Sequence, residues 1–567
     1  MPCFYDITSN DYADFIISNS IDLTSIWDTR EVVCIEAIDS YFSMLYTPHP
    51  ANGDLIPFPY AYVPTLYTLM DTTSMTSSGI TQTITQPFLN VRGQGTMIGF
   101  IDTGIDYRNP LFQSFGQTTR IIEIWDQNIQ TGGSEEVPYG TIYTREQINQ
   151  ALASDDPLAI VPSMDENGHG TFVAGIAAGN ESVELDFTGA APDCSIAVVK
   201  LKPAKQNLRD FYLIQDSAIA YQENDILQGI RYLIDLAGEE RMPLVIYIGM
   251  GTNYGSHEGT TPLGITLRGI NQQVGLATVL PAGNETGLGH HYQGHFSQSD
   301  NFEDVEVRVG AGERGFYMQL WANLPELYSV GFISPVGQVI QRIPINYETS
   351  TTVTLVLEQT EITVHYGISE YGSGSQYVFM RIKNPTAGIW KVRVYNTLFI
   401  SGNYHIWLPI QGFITNETRF LDPSPDTTIT EPGNAHSSLT VGAYNHYDGS
   451  IYIHSSRGYN RNNLVKPDMV APGVDVYGPG LTVGYPDPVF PMVRQSGTSV
   501  AAAHAAGAVA NLMTWGIVNQ NRLNMSMAVI KAILIRGADR SNIYDYPNRV
   551  WGYGVLNLYQ SFLRLMD

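Results

Sequence analysis

Four short apolar runs, Met97–Ile101, Ile196–Val199, Leu244–Ile248 and Thr278–Leu280, constrain the fold of this chain more than any other feature. Runs of this length bounded by polar turns suit strands buried on both faces. Between the second and third, Ile226, Leu227, Ile230, Leu233, Ile234 and Ala237 recur at helical spacing behind Asn224, a residue able to cap a helix. Strand, helix, strand in this order predicts a doubly wound, mostly parallel sheet with helices on both faces. The helical pattern stops at about residue 290. Val305–Val309, Ile362–Tyr366 and Trp390–Tyr395 then alternate with period two, punctuated by Gly, Pro and Asn. That texture predicts an antiparallel, jelly-roll-like β-sandwich of about eight strands. A strand-like Leu439–Gly442 and helical periodicity follow, so the sandwich is an insertion into the α/β domain.

Composition narrows the function classes. The 567 residues carry a net charge of −25, against a nucleic-acid or anionic-membrane partner, both of which reward basic surface. No run approaches ~18 uninterrupted apolar residues, so no membrane insertion is expected. Residues 1–7 show neither a basic n-region nor an apolar h-region, and Cys3, Cys34 and Cys194 have no metal-ligand spacing. Three reduced thiols, and a location inside a cell or a cell-derived compartment, are the expectation. The apolar runs Val32–Ile35 and Phe42–Tyr46 suggest a small N-terminal α/β unit, and the Thr/Ser-rich stretch 71–79 resists regular structure.

In a parallel sheet, functional groups gather beyond the carboxyl ends of the strands. Asp102 follows the first run, Gly249-Met250-Gly251 the third, and Pro281-Ala282-Gly283-Asn284 the fourth. A carboxylate, an open glycine-flanked backbone and a side-chain amide thus share one edge. Two helix starts add His169, in Asn167-Gly168-His169-Gly170-Thr171, and Ser499, in Ser496-Gly497-Thr498-Ser499. A serine at a helix start presents an unsatisfied N–H at the positive end of the dipole, where an oxyanion would be met.

These segments carry a resemblance. Asp102-Thr103-Gly104, Gly168-His169-Gly170-Thr171, Pro281-Ala282-Gly283-Asn284 and Gly497-Thr498-Ser499 resemble the four signatures of the subtilisin-like serine proteases, in that family's chain order. Lys466–Gly473 and Gly552–Asn557 add further matches. The resemblance implies a serine endopeptidase without a cofactor. Ser499 would be the nucleophile, His169 the general base and then acid, Asp102 the residue that orients the imidazole, and Asn284 the oxyanion donor. Gly249, Met250 and Gly251, with Ala282 and Gly283, would bind a protein substrate as an extended strand. It also implies a division into a prodomain (1–72), a catalytic domain in two parts (73–289 and 429–567) and the inserted sandwich (290–428).

The inserted sandwich, the N-terminal unit and the segment Gly251–Gly259 together resemble the Csp germination proteases of clostridial spores. That resemblance implies a prodomain acting as chaperone and inhibitor, removed by the enzyme itself. It also implies a spore cortex hydrolase precursor as substrate, activated by limited proteolysis. Leu66–Asp71 would serve as the prodomain tail. A departure stands at Leu111, which offers no oxygen where many secreted relatives place an acidic calcium ligand, and no metal site is expected. Two rival readings stand beside this one: a pseudoprotease or regulatory scaffold on the same fold, and a carbohydrate- or cell-wall-binding module, built on 290–428, carrying a vestigial protease. Among bystanders, Asp106 reads as a turn residue, His504 as a buried hydrogen-bonded histidine, and His290, His291 and His295 as a solvated loop rather than a metal cluster.

Overall fold

The computed structural model describes residues 7, 9–19, 34–48, 62–69, 76–114, 117–131, 137–347, 349–370, 372–484 and 488–566. At the N-terminus, strands β1 (Tyr12–Ser18), β2 (Cys34–Ala37) and β3 (Phe42–Pro48) form an antiparallel sheet in the order β1-β3-β2. The helical part expected of this unit, Met70, and residues 71–75 of the polar stretch lie outside the described residues. A fourth strand, β4 (Leu66–Leu69), leaves this unit and joins the next domain.

The α/β domain begins with β5 (Met97–Asp102), β6 (Ile121–Asp126), β7 (Thr141–Thr144), β8 (Ser195–Lys200), the short β9 (Tyr221–Gln222), β10 (Leu244–Ile248), the two-residue β11 (Met250–Gly251) and β12 (Leu276–Pro281). The sandwich follows as β13 (His291–His295), β14 (Phe302–Val309), β15 (Gly315–Ala322), β16 (Leu327–Ile333), β17 (Val339–Ile340), β18 (Thr351–Leu355), β19 (Thr360–Gly367), β20 (Gln376–Lys383), β21 (Gly388–Leu398), β22 (Asn403–Trp407) and β23 (Arg419–Phe420). The chain then returns through β24 (Leu439–Tyr444), β25 (Met469–Pro472) and the hairpin β26 (Val476–Pro479) with β27 (Met492–Gln495).

Among the described residues the main sheet has eight strands, ordered β25-β24-β12-β10-β5-β8-β6-β7, and every pairing except β6 with β7 is parallel. This is the expected doubly wound architecture. The helices His169–Ala178 and Thr498–Met513 pack against each other with all their residues buried. Runs of Ala and Gly permit that: a Cβ on Gly507 would stand 2.8 Å from the carbonyl oxygen of Ala177 in the other helix. The segment Thr498–Val518 is long and apolar enough to cross a membrane, but 89% of its apolar window is buried inside the protein, so its apolarity belongs to the core.

The sandwich stacks a six-stranded sheet, β13-β22-β15-β20-β19-β18, on a five-stranded one, β17-β16-β21-β14-β23. Eleven strands replace the eight expected because period-two patterning does not register two-residue pairs such as β17 and β23. Helix Glu223–Glu240 also departs from expectation. Gln222 rather than Asn224 is its N-cap residue, and the Asn224 side chain donates to Asp14 (3.4 Å) and to Asp225 (3.3 Å).

Those contacts belong to the docking of the N-terminal sheet, whose two faces are buried in different cores. Ala13, Phe15, Ile17 and Leu45 pack with Leu208, Phe211, Trp321, Phe379 and Trp407, joining N-terminal unit, α/β domain and sandwich in one cluster. Ile16, Phe42, Met44 and Tyr46 pack toward the helix Glu223–Glu240. Between these cores the buried Asp14 carboxylate meets Lys205 Nζ at 2.5 Å and accepts from Gln222 Nε2 at 2.9 Å. Burial lowers the Lys205 pKa and Asp14 opposes that shift. Breaking such a pair by removing one partner leaves an uncompensated buried charge and costs about 3–5 kcal/mol.

Cys34 takes part in a disulfide, which corrects the expectation of three reduced thiols, whereas Cys194 is free and buried. Separation along the chain carries no information on which sulfurs meet in space. The partner lies outside the described residues, and one support for a reducing compartment is thereby withdrawn.

Candidate active site

Asp102 ends β5, His169 opens its helix, and Ser499 is the second residue of the helix Thr498–Met513. They are 67 and 330 residues apart in sequence, yet His169 Nδ1 lies 2.7 Å from Asp102 Oδ1 and His169 Nε2 lies 3.1 Å from Ser499 Oγ. All three are buried. Asp102 Oδ1 also accepts from the Thr103 N–H at 2.8 Å, while Oδ2 is buried without a hydrogen-bond partner among the described residues. A Cβ on Gly249 would stand 2.3 Å from Oδ2 and 3.0 Å from His169 Cε1, so only glycine lets this backbone pass the pair.

Asn284, half-buried after β12, is oriented by its own carbonyl oxygen. Oδ1 accepts from the Thr498 N–H (3.1 Å) and the Thr498 hydroxyl (3.2 Å), which leaves Nδ2 as the donating side beside Ser499. The Ser499 N–H is in the first turn, where helix donors lack intrahelical acceptors. The side-chain amide and this backbone N–H are the candidate donors for an oxyanion formed beside Ser499.

The sequence did not single out two residues that hold this geometry. Asp165, 2% exposed, accepts from the N–H groups of Asn167 (3.0 Å), Gly168 (2.8 Å) and Thr171 (2.8 Å), and from the hydroxyls of Thr103 (2.9 Å) and Thr171 (2.8 Å). It thereby ties the loop that carries His169 to the turn after Asp102. The available signal was an acidic residue just ahead of a glycine-flanked helix start, a capping pattern. The Tyr247 hydroxyl donates to the Ser499 carbonyl at 2.7 Å, from inside an apolar run that gave no hint of a polar role.

Of the expected substrate edge, Met250 and Gly251 form β11 and already carry a strand. β4 pairs antiparallel with it, Leu69 opposite Met250 and Thr68 opposite Gly251, while Leu66 and Tyr67 face Gln222 and Tyr221 of β9. The chain's own residues 66–69 thus lie between two edges. Ala282 and Gly283 differ: their N–H groups donate to Val441 O (2.9 Å) and Thr498 Oγ1 (3.1 Å), and their carbonyls accept from Thr430 (3.0 Å) and Ser456 (2.8 Å). Their main chain is committed inside the protein, and they shape the site rather than offer it a ladder.

The bystanders resolve as follows. His504 is fully buried with Nδ1 at 2.8 Å from Val500 O, and burial pushes its pKa down to about 3. Asp106 pairs with Arg108 at 2.8 Å and accepts from the Thr482 N–H at 2.9 Å. His290 and His291 are buried rather than in a solvated loop. His290 contacts Glu285, His291 contacts His405 and stacks on Trp407, and His295 contacts Asn403. His290 precedes β13, and His291 and His295 stand at its two ends, four residues and about 13 Å apart along the strand, so the three imidazoles do not meet. Among the described residues no three His, Cys, Asp or Glu side chains are grouped to hold a metal.

Beside the substrate edge, Glu431 pairs its backbone with Thr252 (2.8 and 2.9 Å) and buries its carboxyl completely. Burial pushes its pKa up to about 8, reinforced by Glu223, Glu258 and Glu370 and opposed by the Gly259 N–H. A folded-state pKa above the unfolded value means that the proton's contribution to stability is fully present below the ordinary 4.5 and is lost as pH rises through about 8. Thermal unfolding followed from pH 5 to 9 is expected to show wild type losing stability across that window. Glu431→Gln is expected to flatten the slope, and a variant curve parallel to wild type would contradict this assignment.

The order acid, imidazole, serine separates the serine hydrolase architectures. Here it runs Asp, His, Ser on a doubly wound parallel sheet, the arrangement of the subtilisin class. The chain belongs to the subtilase family of serine peptidases, whose sequence profile matches residues 93–231 and 399–554. It is similar to the CspB protease of Clostridium perfringens, with 31% identity, 87% of this chain and 97% of that one covered, and a TM-score of 0.76. Fervidolysin of Fervidobacterium pennivorans shares the fold at 12% identity and a TM-score of 0.50, covering 97% of this chain and 61% of that one. The minor extracellular protease Vpr of Bacillus subtilis is 21% identical over 473 residues, which are 82% of this chain and 51% of that protein, so the chain spans about half of Vpr's length.

Proposed function

We propose that this chain is a serine endopeptidase that cuts its own N-terminal unit free and then activates a precursor protein by limited proteolysis. The observation that carries the reading is the continuous Asp102–His169–Ser499 contact, 2.7 and 3.1 Å. Ser499 Oγ attacks the scissile carbonyl as His169 Nε2 takes its proton, and Asp102 stabilises the imidazolium that forms. The tetrahedral oxyanion receives the Asn284 amide and the Ser499 N–H. His169 returns the proton to the leaving amine, and water then hydrolyses the acyl-enzyme by the same route in reverse.

Residues 66–69 lie as a product would, antiparallel on β11 and pointing toward Gly249. One register position beyond the Leu69–Met250 pair is Gly249, which abuts Asp102 and His169, so the self-cut is expected at the bond after Met70. The same occupancy supports a latent state, since a substrate must displace this strand to reach the edge.

The similarity to the CspB protease favours a spore setting, with a cortex hydrolase precursor as the substrate. The test is to incubate the purified protein with such a precursor and read its fragments by mass. One cut that removes the propeptide and restores hydrolase activity supports the assignment. An intact precursor beside an enzyme that cleaves unstructured peptides would move the substrate elsewhere. Failure of Ser499 to react with a fluorophosphonate would favour the pseudoprotease reading instead.

A further inference from the structure

We propose that Glu285 is a positioning residue through which the inserted sandwich holds the oxyanion loop and the substrate edge in register. The inference rests on the reading of Asn284 as an oxyanion donor. Glu285 follows Asn284 directly and is only 3% exposed. Its carboxylate joins three other segments. Oε2 accepts from Asn253 Nδ2 at 2.8 Å and meets His290 Nδ1 at 2.5 Å, while Oε1 accepts from the Gln411 N–H at 3.1 Å. Asn253 stands two residues past the substrate edge at Gly251. His290 immediately precedes β13, and Gln411 lies just beyond β22. One buried side chain therefore ties the oxyanion loop to the edge strand and to both the outgoing and the returning chain of the sandwich.

The neighbouring contacts leave the loop little freedom except through this carboxylate. The Glu285 N–H donates to Ser456 Oγ at 3.0 Å, and the Ser456 N–H donates to the Gly283 carbonyl at 2.8 Å. The Leu408 N–H donates to the His290 carbonyl at 2.9 Å, and Asn253 Nδ2 also reaches the Leu408 carbonyl at 3.3 Å. Asn284 is thus pinned from one side by Thr498 and from the other by a carboxylate whose partners sit largely in the insertion. Burial raises the Glu285 pKa, but His290, with the Gln411 and Asn253 donors, outweighs it and holds the carboxylate below its ordinary range. An ionised, fully engaged acceptor is rigid, and a shift of ~1 Å in a catalytic donor costs roughly 100-fold in rate.

The consequence is a coupling that a merely structural residue would not show. Turnover of a peptide substrate is measured for Asn284→Ala, Glu285→Ala, Glu285→Gln and the Asn284→Ala/Glu285→Ala pair. Each kcat is normalised to sites titrated with a fluorophosphonate, so that unfolded protein does not count. Asn284→Ala is expected to lower kcat roughly 100- to 1,000-fold. Glu285→Ala is expected to lower it at least about tenfold with little change in KM, and Glu285→Gln to recover part of the loss, since one of its two acceptor positions survives. If Glu285 acts through Asn284, the double variant should match Asn284→Ala within about threefold. Multiplying effects, or a Glu285→Ala kcat close to wild type, overturn the proposal while leaving the oxyanion reading intact. An Asn284→Ala enzyme as fast as wild type overturns the oxyanion reading, and this proposal with it. Should Glu285→Ala yield no titratable sites, the same cycle is run with Glu285→Gln.

Discussion

Ser499→Ala is expected to appear as one unbroken chain of 567 residues by intact-mass spectrometry, where wild type splits after Met70 into an N-terminal fragment and the remainder. The change removes a single oxygen, the one 3.1 Å from His169 Nε2. Alanine has the highest helix propensity and adds to an alanine-rich, wholly buried helix, so folding should survive. On an added peptide substrate the loss should approach the roughly 10⁶-fold in kcat that removal of the nucleophile causes in subtilisin itself. Two outcomes would count against the reading: both proteins remaining whole, and both splitting at the same bond. The first leaves processing to another protease or the site latent. The second shows that the cut does not use Ser499.

Asp102→Asn should leave the geometry in place and still lower kcat by roughly 10⁴-fold. The carboxylate accepts from His169 Nδ1 at 2.7 Å, which keeps the proton on Nδ1 and leaves Nε2 as the base facing Ser499. An amide in its place carries no charge to stabilise the imidazolium and has one acceptor oxygen where the carboxylate has two, so the tautomer that leaves Nε2 free to accept is held less firmly. Substrate binding rests on β11, which Asp102 does not touch, so KM should change little. Steady-state kinetics normalised to titrated sites checks both statements. A loss below about tenfold would remove Asp102 from the mechanism, because orienting the imidazole and stabilising the imidazolium are its contributions to turnover.

These two effects fall on residues that the sequence already marked, and the reason is local chemistry. Asp102, His169, Asn284 and Ser499 each sit in a short motif whose glycines and strand or helix boundaries are written in neighbouring residues. The apolar runs of the main sheet were equally legible, because a strand buried on both faces must be apolar at every position. The period-two stretches located the sandwich for the same reason in its half-buried form. Legibility failed where a role depends on a distant partner. Asn224 has the side chain of a helix cap, but Asp14 draws it away, and no pattern near residue 224 announces residue 14. Cys34 lay too far from the other cysteines to suggest a bridge. Asp165 and Tyr247 serve the site through hydrogen bonds to residues far along the chain.

The sequence alone therefore determined the doubly wound sheet, the existence of an insertion and the four candidate residues that its motifs mark, Asp102, His169, Asn284 and Ser499. Each follows from hydrophobic periodicity or from side-chain chemistry at a strand or helix end. Only the tertiary structure decided that residues 66–69 occupy the substrate edge, that Ala282 and Gly283 have no free main chain to offer, and that Glu285 binds the insertion to the oxyanion loop. Those facts rest on hydrogen bonds between segments up to 215 residues apart, such as Gly283 to Thr498. A hydrogen bond of that kind leaves no period and no spacing in the sequence, because its geometry is fixed by packing and not by the residues on either side.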